Sequence, residues 1–439
     1  MKKDKKINRR QFFKRSGATL IAAVGFPSII PAAVFARKGK SAPNNQIVVG
    51  CIGMGGQGTG NLRGFLEESE ARVVAVCDVD TGHRERAREM VNNAYGNEDC
   101  AAYNDFRELL ARDDIDAIMH AVPDQWHALV AVSAARAGKD IYGEKPLGYT
   151  ISEGRAIVDA VERYGRIWQT GSWQRSQRHF RFACELVRNG RIGKVHTVRV
   201  GLPAGNGIKE GSTQPCDPPP GFDYDMWLGP APWRPYNPSR CFWNFRWIMD
   251  YSGGQLTDWA GHHIDIANWG MDTEHTAPVS IEGKADFPLA EDGLFNTPPR
   301  YRFECEYKQG FKMVVADSEQ TPKGMGTQFI GEKGWVYVRR GGTLETEPAS
   351  LVTSVIGPEE IHLYKSDNHI KNFLDCVRSR EQTITPADVA HHSIMVGHLG
   401  MAAMRLGRRV NWDPEKERFI NDEEADRLLA RPMRSPWHL

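Results

Sequence analysis

The sequence predicts an α/β fold whose first half is a doubly wound parallel sheet, and three observations carry that expectation. Short apolar runs rich in β-branched residues alternate with helix-length stretches between about residues 47 and 170. The first run leads straight into a glycine-rich turn that opens a helix, and the second ends on an acidic residue. Beyond residue 172 this rhythm gives way to shorter β-like runs and a stretch dense in proline, glycine and tryptophan.

At 439 residues the chain has room for two domains, each able to bury a core. With 41% hydrophobic and 25% charged residues it has a globular mix, unlike that of a disordered or membrane-embedded chain. A net charge of +1 leaves no basic surplus, so no nucleic-acid partner is expected. Eight cysteines are too sparse for a disulfide scaffold, and none falls in a C-x-x-C pair or a zinc spacing, so no metal is expected. Cys51 and Cys77 lie in strand-like runs and read as small core residues.

The first forty residues read as an address. Residues 1–15 are strongly basic, and 17–36 are apolar and end in Val34-Phe35-Ala36, a signal-peptidase pattern. Asn8-Arg9-Arg10-Gln11-Phe12-Phe13-Lys14 resembles the twin-arginine export motif. Gly25, Pro27 and Pro31 interrupt the apolar stretch and basic residues follow it, which favours cleavage over a membrane anchor. The reading is a signal peptide over 1–36, a linker over 37–45 and an exported, periplasmic mature protein.

The run at 47–52 leads into Gly53-Met54-Gly55-Gly56-Gln57-Gly58, which fits G-x-G-x-x-G. A helix at 59–68 and a strand at 72–77 ending at Asp78 follow, and this order is the signature of a Rossmann dinucleotide domain. The first glycine permits the tight turn, the second lets the backbone approach a pyrophosphate, and the third lets helix and strand pack closely. Asp78 would accept the adenosine ribose hydroxyls and repel a 2′-phosphate, favouring NAD; Arg84 and Arg86 nearby leave NADP open. The alternation continues through a helix at 82–94, a strand at 115–122, a helix at 126–137, a strand at 140–143, a helix at 152–164 and a strand at 167–170, giving a domain over 46–172. Ligands of such a sheet sit at the carboxyl ends of its strands. Pro123 and His127 follow one strand there, and Glu144-Lys145-Pro146 follows another.

These residues, with Gly253-Gly254-Gln255-Leu256-Thr257-Asp258-Trp259-Ala260-Gly261-His262-His263-Ile264-Asp265 further on, resemble the glucose-fructose oxidoreductase and inositol dehydrogenase (Gfo/Idh/MocA) family. The resemblance covers nearly all of the chain after the signal. It implies a second domain, over 173–439, of α+β type with a large, mainly antiparallel open sheet covering the nicotinamide. β-like runs at 195–201, 300–307, 311–316, 327–331 and 335–339 are consistent with that sheet. Residues 203–244 read as a long excursion over the sheet or the site, and 368–380 and 386–406 as helices beside the sheet. The tail at 432–439 reads equally as docked or frayed.

By the same resemblance Lys145, Asp258 and His262 form the catalytic group. Asp258 and His262 are four apart, so on a helix they share a face. His262 is the candidate general acid/base for a secondary alcohol, Lys145 would hydrogen-bond the reacting oxygen, and Asp258 would hold the alcohol or orient His262. Trp173, Arg175 and His263 are candidate substrate contacts, and Trp227, Trp233, Trp243 and Trp247 either stack on a sugar or pack in the core. The expected activity is hydride transfer between a tightly bound nicotinamide cofactor and a sugar, glycoside or cyclitol. The alternatives are NAD-dependent glycoside cleavage through transient ring oxidation, and sugar binding without catalysis. Family members associate through the open sheet face, which implies a dimer or tetramer.

Overall fold

The computed structural model describes residues 45–205, 212–288 and 293–439, so the signal peptide and nearly all of the linker lie outside the described residues. The first half follows the alternation in the sequence. β1 (Ile47–Ile52), β2 (Ala71–Cys77), β3 (Ala101–Tyr103), β4 (Ala117–His120), β5 (Asp140–Gly143) and β6 (Trp168–Thr170) form a six-stranded sheet in the order β3-β2-β1-β4-β5-β6. Every pairing in it is parallel. The order reverses between β1 and β4, which opens a crevice at the carboxyl ends of those strands.

Three details differ from the sequence expectation. The first helix starts at Gly56 and runs to Glu67, so two of the motif's glycines form its first turn. β3, with a short helix at Phe106–Leu110 after it, was not anticipated, because three residues are too few to show a period. A 3₁₀ turn at Asp124–Trp126 precedes the helix His127–Arg136.

β7 (Val195–Leu202), β8 (Ser280–Ala285), β9 (Tyr301–Glu306), β10 (Lys312–Asp317), β11 (Gly326–Gly331), β12 (Gly334–Arg339), β13 (Thr343–Glu347), β14 (Val410–Asp413) and β15 (Arg418–Phe419) build the second sheet. Its order is β13-β12-β11-β7-β10-β9-β8-β14-β15. Only the β7–β10 pairing at its centre is parallel, so the sheet is mixed and mostly antiparallel. Strands β8, β13, β14 and β15 escaped the sequence reading. β8 carries Glu282 and Lys284 outward, and charged residues at alternate positions hide a strand from a search for apolar runs.

The carboxy-terminal helices pack against both sheets. Helix His369–Ser379 returns to the parallel sheet, where the Phe373 ring lies 6.2 Å from Phe65 and 5.9 Å from Tyr142, edge to face. Helix Ala387–Leu406, buried along most of its length, packs between helix Ile151–Arg163 and β8. The tail is docked: Trp437 meets Trp126 edge-on at 4.6 Å, Arg434 bonds Asp225 at 2.6 Å, and Arg431 bonds Glu153 at 2.6 Å. No described helix is long and apolar enough to cross a membrane.

Phe373 is fully buried between the returning helix and the parallel sheet. Phe373→Ala is expected to cost about 3–5 kcal/mol in equilibrium denaturation, the range for emptying a core aromatic site.

Candidate functional site

The glycine loop is shaped by close approaches. Gly53 has φ +83°, its N–H donates to the Cys77 carbonyl at 2.8 Å, and a Cβ there would lie 2.7 Å from the Ala121 carbonyl oxygen. A Cβ on Gly58 would fall 1.8 Å from the Gly53 carbonyl oxygen, so only glycine lets this helix sit against β1. Gly55 and Gly56 have nothing within 4 Å of a built Cβ. The helix they open has no side-chain cap at Gly55, so its first amides face open space, as a pyrophosphate requires.

Asp78 closes the loop from the end of β2. Its carboxylate accepts the Met54 N–H at 2.6 Å and the Asp80 N–H at 2.8 Å. Arg84 is occupied by the Asp78 carbonyl at 2.7 Å, and Arg86 is exposed. His83 lies 3.7 Å from the Asp78 carboxylate, which raises the imidazole above its ordinary value. Glu144 locks the opposite wall by accepting from Gln57 and Asn61, each at 3.0 Å.

A cavity of about 810 Å³ runs from this loop to the second sheet, a size suited to a cofactor and a small ligand. It is lined by Gly53, Gly55, Gly56, Gln57, Asp78, Pro123, Glu144, Lys145, Trp173, Asp258 and His262, so eleven of the predicted site residues share one space. Phe222, Met226, Trp227 and Phe242 of the excursion wall the adenosine end. The excursion is fastened there by main-chain bonds from Thr81 to Gly221 at 2.9 Å and from Asp223 to Val79 at 3.0 Å. The residues present therefore fit a dinucleotide.

At the other end Lys145 Nζ donates to Asp258 Oδ1 at 2.7 Å, and Arg246 Nε stands 3.4 Å from the same oxygen. Burial alone would raise the Asp258 carboxyl, but the Lys145 and Arg246 charges outweigh it and hold the group below the usual carboxylate range. Asp258 is the penultimate residue of a short α-helix, Gly254–Trp259, and His262 lies in a π-helical turn at Ala260–Ile264. The uninterrupted helix expected from the spacing is thus broken, yet both side chains enter the cavity. Asp258 holds Lys145 instead of His262. Burial first, then Lys145 and Arg340, hold His262 well below the ordinary imidazole value, and its Nδ1 has no hydrogen-bond partner among the described residues.

Several candidates lie elsewhere. Arg175 is 2% exposed and paired with Asp265 at 2.7 and 2.8 Å and with Glu274 at 2.5 Å, so it joins elements instead of meeting substrate. His263 is fully buried, stacked on Trp259 and pushed down to about 3 by burial, outside the cavity lining. His127 is also outside it, with its two ring nitrogens 2.5 Å from the Pro146 carbonyl and 2.9 Å from that of Val122, a brace between the strand ends. Met54 packs in the core and contributes its amide to Asp78, and Gly58 packs against Gly53. Trp227 and Trp247 are buried, Trp243 is exposed at the cavity mouth, and Trp233 is exposed away from it. Sequence reasoning missed Arg246 and Arg340, both in the lining, because neither belongs to a local motif.

Comparison with known proteins identifies both halves of the chain. Residues 47–172 match the family model "Oxidoreductase family, NAD-binding Rossmann fold", and residues 178–439 match "Oxidoreductase family, C-terminal alpha/beta domain". The chain is 27% identical over 313 residues to an uncharacterized oxidoreductase, YrbE, of Bacillus subtilis (strain 168), covering 70% of this chain and 78% of that one. It is 34% identical over 170 residues to glycosyl hydrolase family 109 protein 2 of Shewanella sp. (strain ANA-3), a match spanning 36% of this chain and only 37% of that relative. The crystal structure of an aldose-aldose oxidoreductase from Caulobacter crescentus superimposes with a TM-score of 0.61 at 19% identity, over 83% of this chain and 99% of that one, which shows the shared fold.

The glycines make a paired prediction. Gly58→Ala is expected to lower the melting temperature and abolish nucleotide binding, because its Cβ meets backbone. Gly55→Ala, in open space at φ −66°, should melt within a few degrees of wild type but lose about tenfold or more in NAD affinity by calorimetry.

Proposed function

Because the chain belongs to the Gfo/Idh/MocA oxidoreductase family, with an NAD-binding Rossmann fold, we propose that it transfers hydride between NAD and a secondary alcohol of a sugar, glycoside or cyclitol. The observation that carries this reading is the convergence of Lys145, Asp258 and His262 on the cavity that begins at the glycine loop. Gly55, Gly56, Gln57, Asp78 and Glu144 would hold NAD, which when bound supplies the hydride acceptor.

The protein's own groups handle the proton and the charge. A Lys145 ammonium spends one donor on Asp258 and keeps two for the alcohol oxygen, where it stabilises developing negative charge. His262, held neutral by its surroundings, accepts the hydroxyl proton. Asp258 fixes the position of Lys145, and Arg246 supports Asp258 from its other side.

Export by the twin-arginine route, with the cofactor retained and recycled by successive substrates, belongs to the same proposal. The aromatic wall over the adenosine end supports retention, and ligand bound only to the native state would stabilise the fold before transport. The glycosyl hydrolase family 109 relatives support a second reading, in which ring oxidation is transient and a glycoside is cleaved.

Protein purified without added nucleotide and then denatured is expected to release about one NAD per chain by mass spectrometry, as tight native-state binding implies. The native protein should gain NADH absorbance with a sugar and lose it with a keto-sugar. Release of aglycone with no lasting absorbance change selects the cleavage reading, and empty protein with weak NAD affinity rejects retention.

The pH profile tests His262. A depressed imidazole is neutral at pH 7 and becomes charged only as pH falls, so the acid limb of kcat/KM is expected below the ordinary value of 6.5 and should vanish in His262→Asn. An acid limb unchanged in the variant excludes His262 as the base.

A further inference from the structure

One cation in the cavity lacks a carboxylate. Lys145 and Arg246 share Asp258, whereas Arg340, the residue after β12, stands in no ion pair among the described residues. Its guanidinium carbon lies 4.4 Å from the centroid of the Trp173 ring and 4.5 Å from that of Trp259. Nε donates to Gln174 at 2.8 Å in the amide orientation that also lets Gln174 donate to the His262 carbonyl at 3.0 Å. Nη2 is shielded from solvent and has no hydrogen-bond partner among the described residues. Burial pushes the guanidinium down to about 10, against the opposing pull of Asp258 and Glu144.

A guanidinium taken out of water is costly unless an anion meets it. The tryptophan faces offset part of the charge, but a ring face does not satisfy N–H groups that point outward in the guanidinium plane. With Nε held by Gln174, Nη1 and Nη2 are the nitrogens left for an anion, and an anion that displaces the groups now covering Nη2 would meet the pair bidentately, as a planar carboxylate can. Through Gln174 this pair is fixed to the backbone of His262, and Trp173 lies edge-on to the His262 ring at 6.3 Å. An anion on Arg340 would therefore sit beside the proposed acid/base.

We propose that Arg340 is the specificity-determining residue of the cavity and receives a carboxylate on the substrate, so that the sugar is acidic, of the uronic acid class. This rests on the oxidoreductase reading for its chemistry, but its test is a binding measurement. NAD-loaded protein is titrated by calorimetry with methyl glucuronide, methyl glucoside and the 6-sulfate of the glucoside, and NAD reduction is followed in parallel.

The glucuronide is expected to bind about 10–100-fold more tightly than the glucoside, the range for a charge-assisted contact. Arg340→Leu should weaken glucuronide binding about 10–100-fold more than glucoside binding and so remove that preference. Arg340→Lys, which keeps the charge but loses the fork, should restore only part of it. No preference for the acid in the wild type, equal losses for acid and neutral sugar in Arg340→Leu, or tighter binding of the sulfate than of the carboxylate would each overturn the proposal. Glucuronide bound through Arg340 without NAD reduction would sink the oxidoreductase reading and leave this one standing; reduction by neutral sugars without preference would do the reverse.

Discussion

The contact on which the site depends is the ion pair between Lys145 and Asp258, 2.7 Å long and joining residues 113 positions apart. Lys145 follows the end of β5, and Asp258 lies in the helix Gly254–Trp259 of the second half of the chain. A carboxylate buried without a partner would become protonated, and two cations keep this one charged. Breaking the pair would release the lysine and leave a charge uncompensated, the costlier of the two ways to alter a buried pair. The same contact ties the end of β5 to the helix Gly254–Trp259.

The neighbouring polar groups extend that constraint. Glu144 precedes Lys145 and binds Gln57 and Asn61, so the residue that places the lysine is wired to the helix that opens at the glycine loop. His127 spans the carbonyls of Val122 and Pro146 and fixes the spacing of the two strand ends. Residues selected for ligand contact thus divide into those that face the cavity and those that hold its walls. Chemistry and scaffold are interleaved along the same short motifs.

The parallel sheet was legible because it repeats one local unit, strand then helix, whose periods survive in the sequence. The glycine motif was legible for a stronger reason: Gly53 and Gly58 occupy positions where backbone contact forbids a side chain. Arg175 was misread because an arginine beside a strand end looks the same whether its partner is a ligand or, as here, Asp265 and Glu274, 90 and 99 residues away. His263 was misread by adjacency to His262, since a turn sends neighbouring side chains in different directions. Arg340 reaches the cavity only because β12 pairs beside β11 and brings its end to Trp173, a long-range event with no local trace.

The docked tail has a consequence for the order of assembly. Trp126 lines the cavity, and its ring is backed by Trp437, while Arg431 reaches the Gln125 carbonyl at 2.9 Å and Arg434 the Gly229 carbonyl at 2.9 Å. Translation proceeds from the amino terminus, so the parallel sheet emerges from the ribosome hundreds of residues before the segment that buttresses this wall. A nascent chain halted before Arg431 has the glycine loop but an unsupported wall. That side of the cavity is therefore completed only after the segment from Arg431 to Trp437 has been made and has docked.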